Sequence, residues 1–425
     1  MSKISELYSK YLASSGVTTD SRHIKEGSIF FALKGENFDG NQYAAEALKK
    51  GAILAVVDDH AYVIGEGYLE VDNALTTLQD LAVYHRGKLD IPIIGLTGTN
   101  GKTTTKELIR EVLSRKYKVH ATPGNLNNHI GVPLSILGIV KDTEMAVIEM
   151  GANHMGEIAA LCSIARPSHG LITNIGKAHL EGFGSYEGVI KAKTELYRFL
   201  HETGGKAFVH YDDPLLMELS AELSRKTYGK SQKADLSGQI SHSVPFLEIG
   251  LGEQRIKTHL YGDYNFENVM AAICIGKYFN VENQAISEAI SSYIPANNRS
   301  QVVISGTNTI FLDAYNANPS SMLAAIRQFQ KQGAEKKVLI LGDMLELGHQ
   351  SREEHMKIMM EIAHKFSLVI LVGPEFLAAR KEGFNTVFKD TGEAAAWIKE
   401  HPLNDAHILV KGSRGIALEK LLDLL

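Results

Sequence analysis

Residues 93–109 read IIGLTGTNGKTTTKELI, and this stretch decides the fold of the central part of the chain. An apolar run enters a turn rich in glycine and threonine, and the residues after the turn have the spacing of a helix with one buried face. In such a strand–turn–helix unit, the backbone N–H groups of the turn and of the helix N-terminus form a cradle for oxyanions. The stretch therefore predicts a binding site for the phosphates of a nucleotide.

The side chains of this turn suit a nucleotide triphosphate accompanied by Mg²⁺. Lys102 can reach the β- and γ-phosphates, and the hydroxyl of Thr103 or Thr104 can ligate the metal ion. The expected ATP-binding residues of the loop are Gly98, Thr99, Asn100, Gly101, Lys102, Thr103 and Thr104. The alternative is a glycine-rich turn with an exposed lysine. The flanking strand and helix patterns favour the nucleotide site.

The pattern of apolar runs extends outward from this loop and predicts three α/β domains. A chain of 425 residues is too long for one ordinary core. Short apolar runs alternate with helical patterns at 28–33, 52–57, 145–150, 169–176, 205–211, 336–344, 367–373 and 406–415. Short runs of this kind are typical of parallel strands that are buried on both faces. Residues 236–261 alternate in polarity, which predicts antiparallel strands near a sheet edge.

We place the domain boundaries by these patterns. Residues 1–88 form a small α/β domain, 89–296 a central domain of the P-loop type with a mostly parallel sheet, and 297–425 a Rossmann-like domain. The last domain has no G-x-G-x-x-G motif after a strand, so we do not expect it to bind a dinucleotide.

Composition excludes several classes of protein. The formal net charge of -5 argues against a general nucleic-acid-binding protein. No apolar run reaches 18 residues, and the first 16 residues lack the apolar segment of a signal peptide. Cys162 and Cys274 lack metal-ligand spacing and are expected to be buried thiols in a reducing compartment. These features predict a cytoplasmic protein without a membrane span, and we expect a monomer.

Glu149 is a candidate metal ligand by its position alone. It ends the apolar run 145–149, and the carboxyl end of a strand beside a phosphate loop is where a carboxylate can bind Mg²⁺ directly or through water. The alternative is a surface glutamate at a strand end.

The motifs taken together resemble those of the Mur ligases, the ATP-dependent amide-forming enzymes of peptidoglycan precursor synthesis. The loop TGTNGKTT departs from the general G-x-x-x-x-G-K-[ST] pattern, since the preceding glycine is Gly95, but it has the form found in this family. The supporting segments, in family order, are TDSR, FFALKGENFDG, TPGNLNNHIGVPLS, VIEMGANHMGEI, TNIGKAHLEGFGS, DAYNANPSSM, LGDMLELG and VKGSRG. The resemblance covers nearly the whole chain.

The resemblance implies roles for residues that their type alone leaves open. His179 would bind a second Mg²⁺, and Asn174 in the same loop would orient the reacting phosphate. Lys193 would be carbamylated by CO₂ and would help to hold that second ion, with Lys191 as the competing candidate. From residue type alone, His179 and Lys193 would be ordinary surface residues.

The resemblance also implies how the nucleotide and the two other substrates are held. Asn268 would approach the adenine or, alternatively, cap a helix, whereas Tyr264 replaces the usual histidine and receives no role. Arg299 would contact the phosphates of ATP across the domain junction, and Asp313 would bind the ribose.

Two further groups of residues are implied to hold the acceptor and the amine. The residues implied for the UDP end and the peptide of the acceptor are Ser21, Arg22, Lys34, Gly35, Asp39, Asn127 and Asn128. Those implied for a D-alanyl-D-alanine dipeptide are Asn316, Asn318, Lys411, Ser413 and Arg414. Asp343 and Glu346 could also meet the incoming ammonium group, with their role left open.

The implied reaction is ATP-driven ligation of D-alanyl-D-alanine to the terminal carboxylate of UDP-N-acetylmuramoyl-tripeptide, with two Mg²⁺ ions. Two alternatives remain open. A sister ligase would add a different amino acid, although DAYNANPSSM and the absence of a D-N-P-[RA] signature argue against it. A catalytically silent ATP-binding protein would be expected to lack Lys102, Glu149, His179 or Lys193, and all four are present.

Overall fold

A computed structural model describes residues 3–296, 298–380 and 383–425, and it confirms the predicted α/β class. Its three largest sheets have four, seven and six strands and follow one another along the chain. The predicted boundary at residue 297 lies outside the described residues. Within the described ranges, none of the helices has the length and apolar character needed to cross a membrane.

The first part of the chain is built on a four-stranded parallel sheet with the order β1-β2-β5-β6. Its elements are α1 (Lys3–Ala13), β1 (Val17–Thr18), β2 (Ile29–Phe31), β3 (Lys34–Gly35), β4 (Phe38–Asp39), α2 (Ala44–Lys49), β5 (Leu54–Val57), β6 (Tyr68–Glu70) and α3 (Ala74–Arg86). Strands β3 and β4 form a separate antiparallel hairpin. The predicted strands at 28–33 and 52–57 correspond to β2 and β5.

The central part contains a seven-stranded, entirely parallel sheet with the order β13-β12-β11-β10-β7-β9-β8. Its elements are β7 (Ile93–Thr97), α4 (Lys102–Leu113), β8 (Val119–Ala121), α5 (Gly131–Leu137), β9 (Met145–Glu149), α6 (Glu157–Ala165), β10 (His169–Ile172), α7 (Leu180–Phe183), α8 (Tyr186–Lys193), α9 (Glu195–Thr203), β11 (Lys206–His210), α10 (Pro214–Leu219), β12 (Ser224–Gly229) and β13 (Leu236–Ser237). Strand β7 lies between β9 and β10, so the carboxyl ends of these three strands converge.

The prediction of antiparallel strands in 236–261 is confirmed from residue 239 onward. β14 (Gln239–His242), β15 (Phe246–Leu251) and β16 (Gln254–Tyr261) form their own three-stranded sheet. β13 extends the large sheet in parallel with β12 instead. Helices α11 (Phe266–Tyr278) and α12 (Asn283–Ser292) follow, and α11 packs along α4. The residues of α11 and β15 together cover the α4 face of the parallel sheet.

The last part has a six-stranded sheet with the order β17-β18-β22-β19-β20-β21, in which β17 is the one antiparallel strand among the described residues. Its elements are β17 (Gln301–Ser305), β18 (Asn308–Asp313), α13 (Pro319–Gln330), β19 (Lys337–Gly342), α14 (Ser351–Ile362), β20 (Leu368–Val372), α15 (Pro374–Ala379), β21 (Val387–Phe388), α16 (Thr391–Glu400) and β22 (His407–Lys411). Separate apolar clusters cover the two faces of this sheet, as expected for a doubly wound fold.

Short 3₁₀ helices connect several of these elements. They span Gly40–Tyr43, His60–Tyr62, Asp263–Asn265, Gly348–Gln350, Arg414–Ile416 and Leu418–Leu424. The first of them, Gly40–Tyr43, leads directly into α2. An apolar cluster joins the first sheet to the central one, since Leu78 and Leu81 of α3 belong to the same cluster as Val132 and Ile136 of α5.

The loop between β7 and α4 is held by a close contact that only glycine allows. Gly98 has a φ of +146°, and a Cβ atom there would lie 2.0 Å from Thr173 Oγ1, just beyond β10. We expect Gly98→Ala to lower the free energy of unfolding by about 2–4 kcal/mol, because overpacking adds to an unfavourable backbone conformation. Urea denaturation measures the change.

Gly252→Ala is the matched control for this substitution. Gly252 also has a positive φ, +59°, but no described atom lies within 4 Å of the added Cβ. Only the backbone cost of about 1 kcal/mol should remain. Equal losses in the two variants would contradict the steric account of Gly98.

Candidate nucleotide and ligation site

A cavity of about 950 Å³ lies at the carboxyl ends of β7, β9 and β10 and is closed on its other side by the last part of the chain. Seventeen of the predicted site residues line it: Thr99, Asn100, Gly101, Lys102, Thr103, Thr104, Asn127, Asn128, Glu149, Asn174, His179, Asn268, Arg299, Asp313, Asn316, Asn318 and Lys411. The carboxyl ends of strands are where open α/β sheets bind their ligands.

The phosphate loop has the strand–turn–helix geometry that the sequence predicts. Gly101 adopts the left-handed conformation, with φ +79°, directly before α4. The Lys102 ammonium group donates hydrogen bonds to the carbonyl oxygens of Gly98 at 2.7 Å and Thr99 at 3.1 Å. Burial lowers the pKa of Lys102, Glu149 opposes this shift, and Arg299 adds to it. The half-buried amine of Lys102 thus lies beside the helix N-terminus, where an anion is favoured.

The loop is pinned by the segment that follows β10. Asn174 accepts a hydrogen bond from the Asn100 backbone N–H at 3.0 Å and donates one to the Asn100 carbonyl at 3.1 Å. Thr173 donates to the same carbonyl at 2.7 Å. Asn174 thus acts on the loop backbone in this structure, which is compatible with a predicted role near the reacting phosphate.

Glu149 and Thr103 come together as predicted. The Thr103 hydroxyl lies 3.0 and 3.2 Å from the two Glu149 carboxylate oxygens, and Asn127 Nδ2 donates to Glu149 at 2.8 Å. Hydroxyl and carboxylate oxygens are the hard ligands that Mg²⁺ prefers, so this pair fits one Mg²⁺ ion beside the phosphates.

The two residues predicted for a second ion, His179 and Lys193, both lie near the ring of Phe183. His179 Nδ1 lies 2.5 Å from Glu346 Oε2, which belongs to the last part of the chain. Lys193 is 2% exposed and does not line the cavity, and its Nζ lies 5.4 Å from the centre of the Phe183 ring. Across the described ranges, no three His, Cys, Asp or Glu side chains are grouped so as to hold a metal ion.

Burial distinguishes Lys193 from Lys191, its competing candidate. Lys191 is exposed, whereas burial lowers the pKa of Lys193 to about 7, with Lys102 adding to the shift and Glu157 and Glu195 opposing it. At pH 7 a substantial fraction of the Lys193 amine is therefore neutral, which is the form that reacts with CO₂.

At the end of the cavity beyond the loop, Asn268 is already engaged by protein groups. Its Oδ1 accepts from the Thr105 hydroxyl at 3.0 Å, and its Nδ2 donates to Asn265 at 2.9 Å. Tyr264 and Glu267 line the same end. Burial raises the pKa of Glu267 to about 7. Asn268 therefore joins α11 to α4 and keeps limited capacity to contact a base.

The last part of the chain contacts the phosphate loop through α13. Asn318 caps this helix by accepting from the Ser321 backbone N–H, and it donates to Asn100 Oδ1 at 2.7 Å. Asn100 Nδ2 in turn donates to the Ser320 hydroxyl at 3.1 Å. Asn318, which was predicted to hold the dipeptide, is thus occupied as a helix cap and as an interdomain contact.

Other residues of the last part pair with each other. Lys411 is buried, and its Nζ lies 2.5 Å from the Asp313 carboxylate, so the predicted ribose ligand and a predicted dipeptide ligand form one ion pair. The exposed side chain of Asn316 accepts from its neighbour Ala317 at 3.0 Å. Ser413 is buried and bonded to Leu345 and Ala317, whereas Arg414 is exposed; neither lines the cavity.

The residues predicted to hold the UDP end lie outside this cavity, on the surface of the first sheet. Arg22 pairs with Asp20 at 2.8 Å, and Lys34 pairs with Asp58 at 3.2 Å. Asp39 caps the following 3₁₀ turn through Asn41, and Gly35 lies under the ring of Phe38. Ser21 supplies a carbonyl oxygen to Lys50.

Asp343, whose role the sequence left open, is not among the residues that line the cavity. It is fully buried, and it accepts hydrogen bonds from the backbone N–H groups of Glu375 at 2.8 Å and Phe376 at 2.9 Å. Burial raises the pKa of Asp343. Its carboxylate instead holds the N-terminus of α15. Glu346 does line the cavity.

Lys106 is a buried residue of the site that motif reasoning missed. Its Nζ donates to the carbonyl oxygens of Thr122 at 2.7 Å and Gly124 at 2.8 Å, and it lies 3.7 Å from Glu149. The signal in the sequence was a lysine in the first turns of a helix whose neighbours are buried. Lys106 ties the segment leading to Asn127 and Asn128 to the phosphate-loop helix.

We expect Lys106→Met to lower the free energy of unfolding by about 3–5 kcal/mol, because two buried carbonyl oxygens and Glu149 lose their cation. Lys118→Met is the control, since Lys118 is exposed and pairs with exposed Asp142, and it should change stability by less than about 1 kcal/mol. Urea denaturation compares the two. Similar losses would show that Lys106 does not anchor this segment.

Comparison with known proteins agrees with these features. Three family models match consecutive parts of the chain: Mur ligase family, catalytic domain at residues 14–91; Mur ligase middle domain at 96–276; and Mur ligase, glutamate ligase domain at 298–414. The UDP-N-acetylmuramoyl-tripeptide–D-alanyl-D-alanine ligase of Bacillus subtilis is 36% identical over 96% of this chain and 92% of its own length.

Solved structures give the same result. A crystal structure of MurF from Acinetobacter baumannii matches 98% of this chain and 97% of its own with a TM-score of 0.85 and 30% identity. MurF ligase from Thermotoga maritima, solved in complex with ADP, matches 100% of this chain and 98% of its own with a TM-score of 0.84 and 27% identity. The resemblance of the motifs is thereby confirmed, and the chain belongs to the Mur ligase family.

Proposed function

We propose that the chain is an ATP-dependent ligase that joins D-alanyl-D-alanine to UDP-N-acetylmuramoyl-tripeptide in peptidoglycan precursor synthesis. The observation that carries this proposal is one cavity that the phosphate loop and Glu149 share with Arg299 and Asp313 from the last part of the chain. Similarity along almost the whole length to ligases with this named activity supports the choice of substrates.

The reaction proceeds in two steps. The terminal carboxylate of the tripeptide attacks the γ-phosphorus of ATP, forming an acyl phosphate and releasing ADP. The amine of D-alanyl-D-alanine then attacks the acyl carbon, loses a proton and expels phosphate, leaving an amide. Lys102 and Arg299 stabilise the charge that develops on the phosphate oxygens, and the closed cavity aligns the reactants.

Thr103 and Glu149 would hold one Mg²⁺, which supplies further neutralisation of phosphate charge when it is bound. His179 and Lys193 remain candidates for a second ion. We assign no step to that ion, since His179 contacts Glu346 in this structure and Lys193 does not line the cavity.

The three parts of the chain receive separate tasks in this proposal. Residues 1–88 hold the UDP end of the acceptor, with Ser21, Arg22, Lys34, Gly35 and Asp39 as its contacts. Residues 89–296 hold ATP, and their Asn127 and Asn128 face the peptide. Residues 297–425 receive the dipeptide.

Within the last part, Arg414 is the candidate that remains free to bind the dipeptide carboxylate, because Lys411 is paired with Asp313. We propose that the protein acts as a monomer. We propose that the protein acts in the cytoplasm, where both of its nucleotide substrates are found.

Phosphate release from ATP in the presence of UDP-N-acetylmuramoyl-tripeptide tests the reaction. We expect sustained release to require D-alanyl-D-alanine, and the product to be heavier than the acceptor by the mass of the dipeptide less one water. ATP turnover without this product would assign the chain to a sister ligase. An absence of turnover with every acceptor would contradict the ligase proposal.

In the same assay, Lys102→Ala should reduce ligation at least about 10²-fold, because it removes a cation that stabilises the transition state. Lys365→Ala is the matched control. Lys365 is exposed, and its Nζ pairs with Glu361 of α14 at 3.3 Å. Ligation by this variant should stay within about twofold of that by the unmodified chain. Near-normal turnover of the Lys102 variant would contradict the role given to the phosphate loop.

Carbamylation of Lys193 can be tested with ¹³C-labelled bicarbonate by NMR. At a fixed concentration of dissolved CO₂, a carbamate signal should grow as the pH rises through about 7, because only the neutral amine reacts and the pKa of Lys193 is lowered to about 7. Lys193→Arg should abolish the signal, and Lys191→Arg should leave it unchanged. A signal that grows only near pH 10 would point to exposed lysines instead.

A further inference from the structure

The ring of Tyr315 lies against two guanidinium groups at the edge of the cavity. The Cζ atom of Arg299 is 3.6 Å from the centre of the ring, and that of Arg414 is 5.1 Å from it. Both distances are within the range of a cation–π interaction. Tyr315 lines the cavity, and no role follows for it from the sequence motifs.

The topology of the last sheet brings these three residues together from distant parts of the chain. β18 and β22 are parallel neighbours, with Asp313 opposite Lys411, so the loops that carry Tyr315 and Arg414 leave the same end of the sheet. β17 is antiparallel to β18 and begins at Gln301, opposite Leu312, so Arg299 enters at that end as well.

Arg299 has the features of an anion-binding residue. Its Nε is buried and finds no hydrogen-bond partner among the described residues, although a buried N–H group normally has one. Its positive charge acts on Lys102 across the cavity and contributes to the lowered pKa of that lysine. Two cations on opposite walls of one cavity are stabilised when an anion lies between them.

Hydrogen bonds therefore do not fully fix the orientation of the Arg299 guanidinium group. The ring of Tyr315, which stacks on this group, restricts its orientation further. A planar guanidinium on an aromatic face keeps its in-plane N–H groups free for a ligand. The same ring reaches Arg414, which is exposed and has no ion-pair partner in the part of the chain that the structure describes.

We propose that Tyr315 is a positioning residue that orients two arginines for two anions: Arg299 for the triphosphate of ATP, and Arg414 for the carboxylate of the incoming dipeptide. The second half rests on the proposed function. The first half requires only that the cavity binds a nucleotide triphosphate.

Affinity for ATP, measured by calorimetry without acceptor or dipeptide, tests the first half. Tyr315→Leu keeps an apolar side chain but removes the aromatic face, and it should weaken ATP binding about 5- to 30-fold. Tyr315→Phe keeps the face and should bind ATP within about twofold of the unmodified chain. Equal affinities of the Leu and Phe variants would overturn the proposal.

Tyr84→Leu is the matched control for the loss of an aromatic ring. Tyr84 also carries a cation, with Lys88 Nζ 5.0 Å from the centre of its ring, but it does not line the cavity. This variant should bind ATP like the unmodified chain. A loss of ATP affinity as large as that of Tyr315→Leu would show that the effect is not specific to Arg299. Thermal unfolding of all variants identifies any loss that comes from misfolding.

The KM for D-alanyl-D-alanine tests the second half. It should rise in Tyr315→Leu and in Arg414→Ala, and Tyr315→Leu should add little to it in the Arg414→Ala background, since the two residues act as one unit. Full additivity would overturn the role for Arg414. If the unmodified chain does not ligate, the proposed function and this second half both fail, and ATP affinity alone decides the role of Tyr315 toward Arg299.

Discussion

The close approach of the phosphate loop to its neighbours is the constraint on which the rest of the site depends. Gly98 and Gly101 lie where a Cβ atom would be 2.0 Å from Thr173 and 2.5 Å from Asn268. These contacts bring the loop against the segment after β10 on one side and against α11 on the other. The backbone N–H groups at the start of α4 can then face one point, and Lys102 folds back over the loop.

The loop is also where the last part of the chain docks. Asn100 is held through its backbone by Asn174 and through its side chain by Asn318 and Ser320. These bonds join neutral groups, whereas a second contact between the two parts pairs His179 with the Glu346 carboxylate. Arg299 lies on the cavity wall with an Nε that has no hydrogen-bond partner among the described residues. Cations that line one cavity from both parts of the chain can stabilise phosphate charge as it develops.

Two lysines of similar burial differ in the partners that the fold gives to their amines. Lys106 is fully buried, but it is satisfied by two carbonyl oxygens and lies near Glu149, so it serves as an anchor. Lys193 is equally buried, and desolvation of its amine, with Glu157 and Glu195 only partly opposing it, lowers its pKa to about 7. The difference arises from the partners that the fold provides, since the two residues are of the same type and both lie on amphipathic helices.

The sequence alone determined the α/β class, the phosphate loop and the position of Glu149. The first two depend on residues that are adjacent along the chain. Glu149 follows from the rule that open α/β sheets bind ligands at the carboxyl ends of their strands. The sequence did not reveal β12, whose residues SRKTYG are largely polar, or the separate sheet formed by β14–β16. Only the tertiary structure decided which polar side chains are already paired. Asn318 meets Asn100, Lys411 meets Asp313, and Tyr315 meets Arg299 and Arg414 because parallel strand pairing and interdomain docking bring distant residues together. A motif records residue types and spacing, whereas the availability of a side chain for a ligand depends on neighbours that the fold selects.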